Sequence, residues 1–141
     1  MGYAHRDFVA CINTVDAYFK TQLELIDRDT RRLLFKNNWP IYTQTSDSSP
    51  TLYGSLAEVK KSLISNGAYI NGQVENSVID RDVFIEEGVV VKNSIILSGV
   101  TITSGANIEN AIIDKATKII HPIDIKGAEN APAYIKAYQN I

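Results

Sequence analysis

The chain has few of the residues that build redox and metal sites, because its 141 residues include one cysteine and two histidines. The single Cys11 cannot form an intrachain disulfide, so we expect a reducing compartment and a small core role for this residue. No apolar run approaches the ~20 residues that span a bilayer, and no signal-peptide pattern is present. These absences predict a cytoplasmic protein that does not contact membranes.

Concentrated positive charge is also missing. The formal net charge is −2 and the longest basic cluster is the pair Arg31-Arg32, so we expect no nucleic-acid partner. The sequence contains no glycine-rich phosphate loop and no metal-ligand spacing of Cys and His. His5 lies near the N-terminus and His121 precedes a proline, and neither has an evident catalytic partner. We therefore predict no catalytic residue, no metal site and no cofactor within this chain.

What the sequence does contain is a repeat. Three blocks of seventeen residues begin at Val74, Val91 and Ile108, and a shorter block begins at Val59. Within the blocks, aliphatic residues recur at offsets of five, six and six residues, at Val74, Ile79, Ile85, Val91, Ile96, Ile102, Ile108, Ile113 and Ile119. Short β-branched pairs broken by Gly, Asn and Asp exclude a helix, and a period of about six residues is typical of a parallel solenoid. The fold class predicted is mainly β, a left-handed parallel β-helix of about four coils.

Polar and small residues repeat with the same period. Asn76, Asn93 and Asn110 share one offset, where a corner needs a residue that tolerates left-handed backbone angles. A second set consists of Gly88 and Gly105, with Pro122 at the equivalent position of the last block. A third set, Ser77, Ser94 and Ala111, follows the asparagines directly. We interpret these sets as structural corners of the solenoid.

The flanking segments have other patterns. Apolar residues at three- and four-residue steps predict an amphipathic helix over residues 8–26, capped by Asp7, and a second short helix after Asp29. Residues 39–56 form a predicted strap whose aromatics, Trp39, Tyr42 and Tyr53, we expect to pack on the first coil. The tail after Ile119 breaks the period, which predicts a capping element. We divide the chain into a helical lead-in and strap, 1–56, and a β-helix with its cap, 57–141.

These residues also resemble a known family, the bacterial glucose-1-phosphate adenylyltransferases (ADP-glucose pyrophosphorylases). The resemblance covers nearly the whole chain and is carried by the strap NWPIYTQTSDSSPTLYG and by the ordered segments VVVKNSIILSGVTITSGANIENAIIDK. The strap containing Asp47 is most similar to that of the D-type subunit of glycogen biosynthesis. The resemblance implies a C-terminal part of a larger protein, which regulates and assembles subunits of an enzyme that converts ATP and glucose 1-phosphate into ADP-glucose and diphosphate.

The resemblance also implies binding residues and partners. Lys115 matches the lysine of the family's I-I-D-K motif and Lys136 that of its tail motif, and such lysines help to bind phosphorylated sugar or nucleotide effectors. Where activated members have a basic pair before this motif, the chain has Glu109-Asn110, which puts the usual effector in doubt. The expected partners are further copies of the chain or a catalytic subunit of the same family. Mg²⁺ is expected only in the nucleotidyltransferase domain, whose motifs are missing here, so this chain alone is not expected to be an enzyme.

Two alternatives remain open at this stage. Hexapeptide repeats also occur in acyltransferases, which work as trimers with a histidine base between coils. A purely structural solenoid would pair its exposed faces with another subunit and bind no small effector.

Overall fold

The computed structural model describes residues 2, 4, 8–103 and 105–141. These residues form two helices, α1 (Val15–Glu24) and α2 (Arg28–Leu34), followed by fifteen short strands. The strands are β1 (Leu52–Tyr53), β2 (Glu58–Lys60), β3 (Leu63–Ile64), β4 (Tyr69–Ile70), β5 (Gln73–Glu75), β6 (Val78–Ile79), β7 (Phe84–Ile85), β8 (Val90–Lys92), β9 (Ile95–Ile96), β10 (Thr101–Ile102), β11 (Asn107–Glu109), β12 (Ala111–Ile113), β13 (Lys118–Ile119), β14 (Asp124–Lys126) and β15 (Ala133–Ile135).

Every third strand belongs to the same parallel sheet. Sheet 1 has the order β1-β4-β7-β10-β13, sheet 2 the order β2-β5-β8-β11-β14, and sheet 3 the order β3-β6-β9-β12-β15. The chain therefore winds through three flat sheets in turn, which confirms the predicted left-handed parallel β-helix with its helical lead-in. The four predicted blocks contain β2 to β13, so the repeat period located the coils correctly.

The core is a stack of aliphatic side chains from the middle of each sheet. In sheet 2, Val74 pairs with Val91 and Val91 with Ile108, and all three are almost fully buried. The same register holds in the other two sheets, where Ile85 pairs with Ile102 and Ile79 with Ile96. Because successive residues of a strand point to opposite faces, one inward residue per strand is enough to fill this narrow interior.

The asparagine positions form the predicted corner between sheets 2 and 3. Asn76, Asn93 and Asn110 have φ values of 46°, 45° and 50°. This left-handed region costs most residues energy, and Asn is among those that tolerate it. The Nδ2 group of Asn76 also donates a hydrogen bond of 2.8 Å to Oδ1 of Asn93, and Asn110 Nδ2 donates to the Gly127 carbonyl at 3.3 Å. The ladder thus links successive coils.

A buried serine ladder runs beside these asparagines. The Ser77 hydroxyl accepts a hydrogen bond from the Ser94 N–H at 3.1 Å, and the Ser94 hydroxyl accepts one from the Ala111 N–H at 3.1 Å. Each hydroxyl donates in turn to a carbonyl two residues earlier in its own coil. The prediction of small, packed corner residues is confirmed, since all three side chains are completely buried.

The tail departs from the predicted capping element. β14 pairs with β11 and β15 pairs with β12, so the tail adds strands to sheets 2 and 3. The period is hidden because a loop over residues 127–132, closed by a bridge between Ala128 and Ala131, is inserted between β14 and β15. The final residues lie along the edge of β13, where the N–H of Lys118 donates to the Gln139 carbonyl.

Both helices begin at other residues than predicted. α1 starts at Val15, because the Thr14 hydroxyl accepts a hydrogen bond from the Ala17 N–H and caps the helix there. The predicted cap, Asp7, lies outside the described residues. α2 is capped by Asp27, whose carboxylate accepts from the N–H groups of Asp29 and Thr30. The predicted amphipathic character of α1 is seen at Phe19, which packs in a buried cluster with Ile95 and Ile112 on sheet 3.

The predicted burial of Cys11 and of the strap aromatics is wrong. Cys11 is exposed because it precedes α1 and does not lie on its packed face. Trp39 and Tyr42 are 76% and 91% exposed, and Tyr53 is half exposed although its strand pairs with β4. The strap instead makes polar contacts with one corner of the β-helix. The Ser48 hydroxyl donates to the Asp82 carboxylate at 3.3 Å, and the Gln44 carbonyl accepts from the Arg81 guanidinium at 3.1 Å.

Candidate functional site

The two predicted effector lysines lie on successive coils at one corner, which we call the lysine corner (residues 114–116 and 136–138). Ile113 pairs with Ile135, so Lys136 comes opposite Asp114, next to Lys115. The Asp114 N–H donates to the Ile135 carbonyl at 3.0 Å, and the Tyr138 N–H donates to the Lys115 carbonyl at 3.0 Å. Since neighbouring strands are about 4.8 Å apart, the two lysine Cα atoms are ~6 Å apart. Both side chains are exposed, so the corner can present two ammonium groups to one anion.

A carboxylate that the sequence did not single out belongs to the same corner, since Asp114 precedes Lys115 in the chain and lies opposite Lys136 in the register. Asp114 accepts a hydrogen bond of 2.6 Å from the Tyr134 hydroxyl and one of 2.7 Å from the Lys115 N–H. The hydrogen bond to Asp114 raises the pKa of Tyr134 above its usual value, with smaller contributions from desolvation and the carboxylate charge. An anion at the lysine corner therefore meets two positive charges and one fixed negative charge.

The corner borders a cleft of about 550 Å³ between the segment that leads into α1 and sheet 3. Apolar and aromatic side chains dominate its lining, which includes Ile12, Val15, Tyr18, Leu97, Ile112 and Tyr134, together with Asn13, Thr14 and Asp114. Burial raises the pKa of Tyr18, and the nearby carboxylates of Asp80 and Asp114 add to this rise. The cleft therefore offers negative charge and aromatic surface, which do not favour an anion.

A second hollow, of about 540 Å³, lies on the outer face of sheet 1. Tyr69 and Phe84 stack there with their ring centroids 4.9 Å apart, beside Glu86 and Glu87. Sequence reasoning missed this aromatic pair. The signal was available, because Tyr69 and Phe84 hold equivalent positions in successive blocks.

The remaining candidate residues do not form a site in the described part of the chain. His121 is exposed at a corner before Pro122, and His5 lies outside the described residues. Within residues 8–103 and 105–141 there is no group of three or more His, Cys, Asp or Glu residues that could hold a metal ion. In the same residues, no helix has the length and apolar content needed to cross a membrane.

Comparisons with known proteins agree with this architecture. Residues 51–132 match the family model described as GlmU-like, C-terminal hexapeptide. The chain is 41% identical to the glycogen biosynthesis protein GlgD of Bacillus subtilis (strain 168) over 134 residues, which cover 95% of this chain and 39% of that protein. It is 49% identical to GlgD of Geobacillus stearothermophilus over 71 residues, covering 50% of this chain and 21% of that protein.

A glucose-1-phosphate adenylyltransferase of Acetivibrio thermocellus is 31% identical over 127 residues, which cover 90% of this chain and 30% of that protein. The chain thus spans about two fifths or less of the length of these relatives.

Proposed function

This chain belongs to the GlmU-like C-terminal hexapeptide family, and on that premise we propose that it is the regulatory and assembly domain of a longer protein of glycogen biosynthesis. The observation that carries the proposal is the 41% identity to a glycogen biosynthesis protein over 95% of the chain. In this proposal the longer protein is cytoplasmic and belongs to an enzyme that forms ADP-glucose and diphosphate from ATP and glucose 1-phosphate. Its partners are further copies of itself or a catalytic subunit of the same family.

The lysine corner supports the regulatory part of this proposal. Two exposed ammonium groups on successive coils can each donate to the oxygens of one phosphate, which gives charge-assisted hydrogen bonds. Asp114 opposes this binding by its charge, and its hydrogen bond from Tyr134 holds it in place. The ligand proposed is a phosphorylated sugar or nucleotide, bound on the exposed side of the corner.

Isothermal titration of the purified chain with fructose 1,6-bisphosphate, AMP and inorganic phosphate tests this role. We expect binding of at least one of them, and about tenfold weaker binding for Lys115→Ala and for Lys136→Ala, because each variant removes one charge-assisted contact. Asp114→Asn removes the opposing charge and should tighten binding several-fold. Lys118→Ala is the matched control, since Lys118 is also exposed but lies on sheet 1.

Two results would count against the effector role. Binding that persists unchanged in both lysine variants would place the ligand elsewhere, and no binding of any of the three ligands would leave assembly as the remaining part of the proposal. The assembly part has its own measurement, sedimentation of the full chain, so the two parts can fail independently.

A further inference from the structure

The outer face of sheet 2 carries charges in a regular order. The first residues of its five strands form one column, Glu58, Gln73, Val90, Asn107 and Asp124, and the third residues form another, Lys60, Glu75, Lys92, Glu109 and Lys126. The second column alternates in sign from coil to coil, and Lys92 Nζ lies 3.9 Å from Glu75 Oε2. The side chains of both columns are exposed or half-buried. α1 packs on sheet 3, so it leaves this face uncovered.

We propose that this face, the sheet 2 face, binds a second copy of the chain about a twofold axis parallel to the axis of the β-helix. The proposal rests on the assembly role proposed above and gives it a surface and a geometry. Such an axis keeps each coil at its own height and brings the first column of one copy opposite the second column of the other. The interface is closed and uses the same patch on both copies.

The charges match in this arrangement. Glu58 faces Lys60 of the second copy, and Asp124 faces Lys126 of the second copy, so opposite charges meet at both ends. Between the ends, the Gln73 amide faces the Glu75 carboxylate of the second copy, and the Asn107 amide faces the Glu109 carboxylate of the second copy. In the middle coil Val90 faces the aliphatic stem of Lys92. Because the axis is twofold, every pair occurs twice, which gives four opposite-charge pairs.

Other arrangements of the same faces bring like charges together. A twofold axis perpendicular to the β-helix places Lys60 opposite Lys126, Glu75 opposite Glu109, and Lys92 opposite itself. A shift of one coil places Glu58 opposite Glu75 and Glu109 opposite Asp124. Like charges in register oppose association, so the charge order selects the parallel axis without a shift.

The size of the face sets the expected strength. Five strands about 4.8 Å apart and three residues long give a surface roughly 24 Å by 10 Å. This is small beside the ~800 Å² that each partner buries in a stable complex, so the dimer should be weak. Its contacts are mostly ionic, and it should weaken further as salt shortens the Debye length from about 30 Å at 0.01 M to about 3 Å at 1 M.

Sedimentation velocity over a range of protein concentrations tests the proposal with two charge reversals. Lys60→Glu and Glu58→Lys each turn two attractive pairs into repulsive ones, and each variant should dimerise about tenfold more weakly than the unmodified chain. An equimolar mixture of the two variants restores both attractions, because positions 58 and 60 are both negative in the first variant and both positive in the second. The mixture should therefore form a heterodimer, and the double variant Glu58→Lys/Lys60→Glu should dimerise like the unmodified chain.

Lys118→Glu on sheet 1 is the matched control, because it makes the same charge change away from the face and should leave dimerisation unchanged. Circular dichroism of every variant shows whether the coils are folded. Recovery of association in the mixture supports the proposal. An unmodified chain that stays monomeric at low salt overturns it. A dimer indifferent to both reversals, or a trimer, also overturns it while leaving an assembly role through another surface intact.

Discussion

The buried serine ladder gives a quantitative test of how the coils are held together. In Ser94→Ala the hydroxyl that accepts the Ala111 N–H at 3.1 Å is removed, and Ala111 is completely buried. The same hydroxyl donates to the Lys92 carbonyl at 2.6 Å, but that carbonyl also accepts the Asn110 N–H at 3.2 Å and keeps a partner. The substitution therefore leaves one buried backbone donor, the Ala111 N–H, without the hydroxyl that it bonds to.

An unsatisfied buried donor costs about 1–3 kcal/mol, and the missing hydroxyl leaves a space too small for a well-bonded water. A chain of this length loses about 3 °C in Tm for each kcal/mol, so we expect Ser94→Ala to lower Tm by about 3–9 °C. Urea unfolding followed by circular dichroism measures the free energy. Hydrogen exchange of the Ala111 amide measures the broken contact directly, and its exchange should accelerate.

Ser98→Ala is the matched control. The backbone carbonyl of Ser98, and not its hydroxyl, accepts the hydrogen bond from Ala116 of the next coil, so this variant should stay within about 0.5 kcal/mol of the unmodified chain. The reasoning is refuted if Ser94→Ala lowers the free energy of unfolding no more than Ser98→Ala does and leaves the exchange rate of the Ala111 amide unchanged. It would follow that the serine hydroxyls are incidental to coil stacking.

Three further predictions concern the corner and the lead-in. Asn93→Ala should lose about 1–2 kcal/mol in urea unfolding from the backbone alone, because alanine is disfavoured at a φ of 45°. Asn93→Gly should recover this backbone part but not the hydrogen bond from Asn76. Phe19→Ala removes the buried contact with sheet 3, at a cost of about 3 kcal/mol or more to the docking of α1, and should speed amide exchange in α1 without changing the strands. Hydrogen bonds from Thr30 lower the pKa of Asp27 below 3.8. The capped start of α2 is therefore fully stabilised above pH 3.8 and should fray as the pH falls through the lowered pKa. Far-UV circular dichroism should show this loss of helix in the unmodified chain and not in Asp27→Asn, which has no carboxyl to titrate at this position.

The coils could be predicted because their physical cause is local and periodic. An inward aliphatic residue such as Val91 must stack on the equivalent residue of the next coil, so the interior repeats in the sequence. The corner asparagines repeat for the same reason, because each coil must turn with a left-handed residue at the same place. A structure whose contacts recur at a fixed separation shows itself in one sequence without any knowledge of its relatives.

The lead-in and tail lack that regularity, and there the predictions failed. Apolar residues at helical spacing before Val15 do not form a helix, because the Thr14 hydroxyl supplies a cap at that later point. Cys11, Trp39 and Tyr42 are apolar enough to suggest burial, but nothing in a single sequence shows whether a surface covers them. In the tail, the loop at 127–132 disrupts the spacing of strands that still pair correctly.

The lysine corner shows the limit most clearly, because its properties depend on residues that only the coil register brings together. Lys115 and Lys136 are 21 positions apart in the sequence, and only the pairing of β12 with β15 places them side by side. That pairing also brings the Tyr134 hydroxyl to Asp114, which fixes a negative charge next to Lys115 in the chain and opposite Lys136 in the register. Motif matching recognised the two cations and not the carboxylate that opposes them. Whether an anion binds here is decided by the balance of these three charges, so the comparison of Asp114→Asn with the two lysine variants addresses the mechanism more directly than either lysine alone.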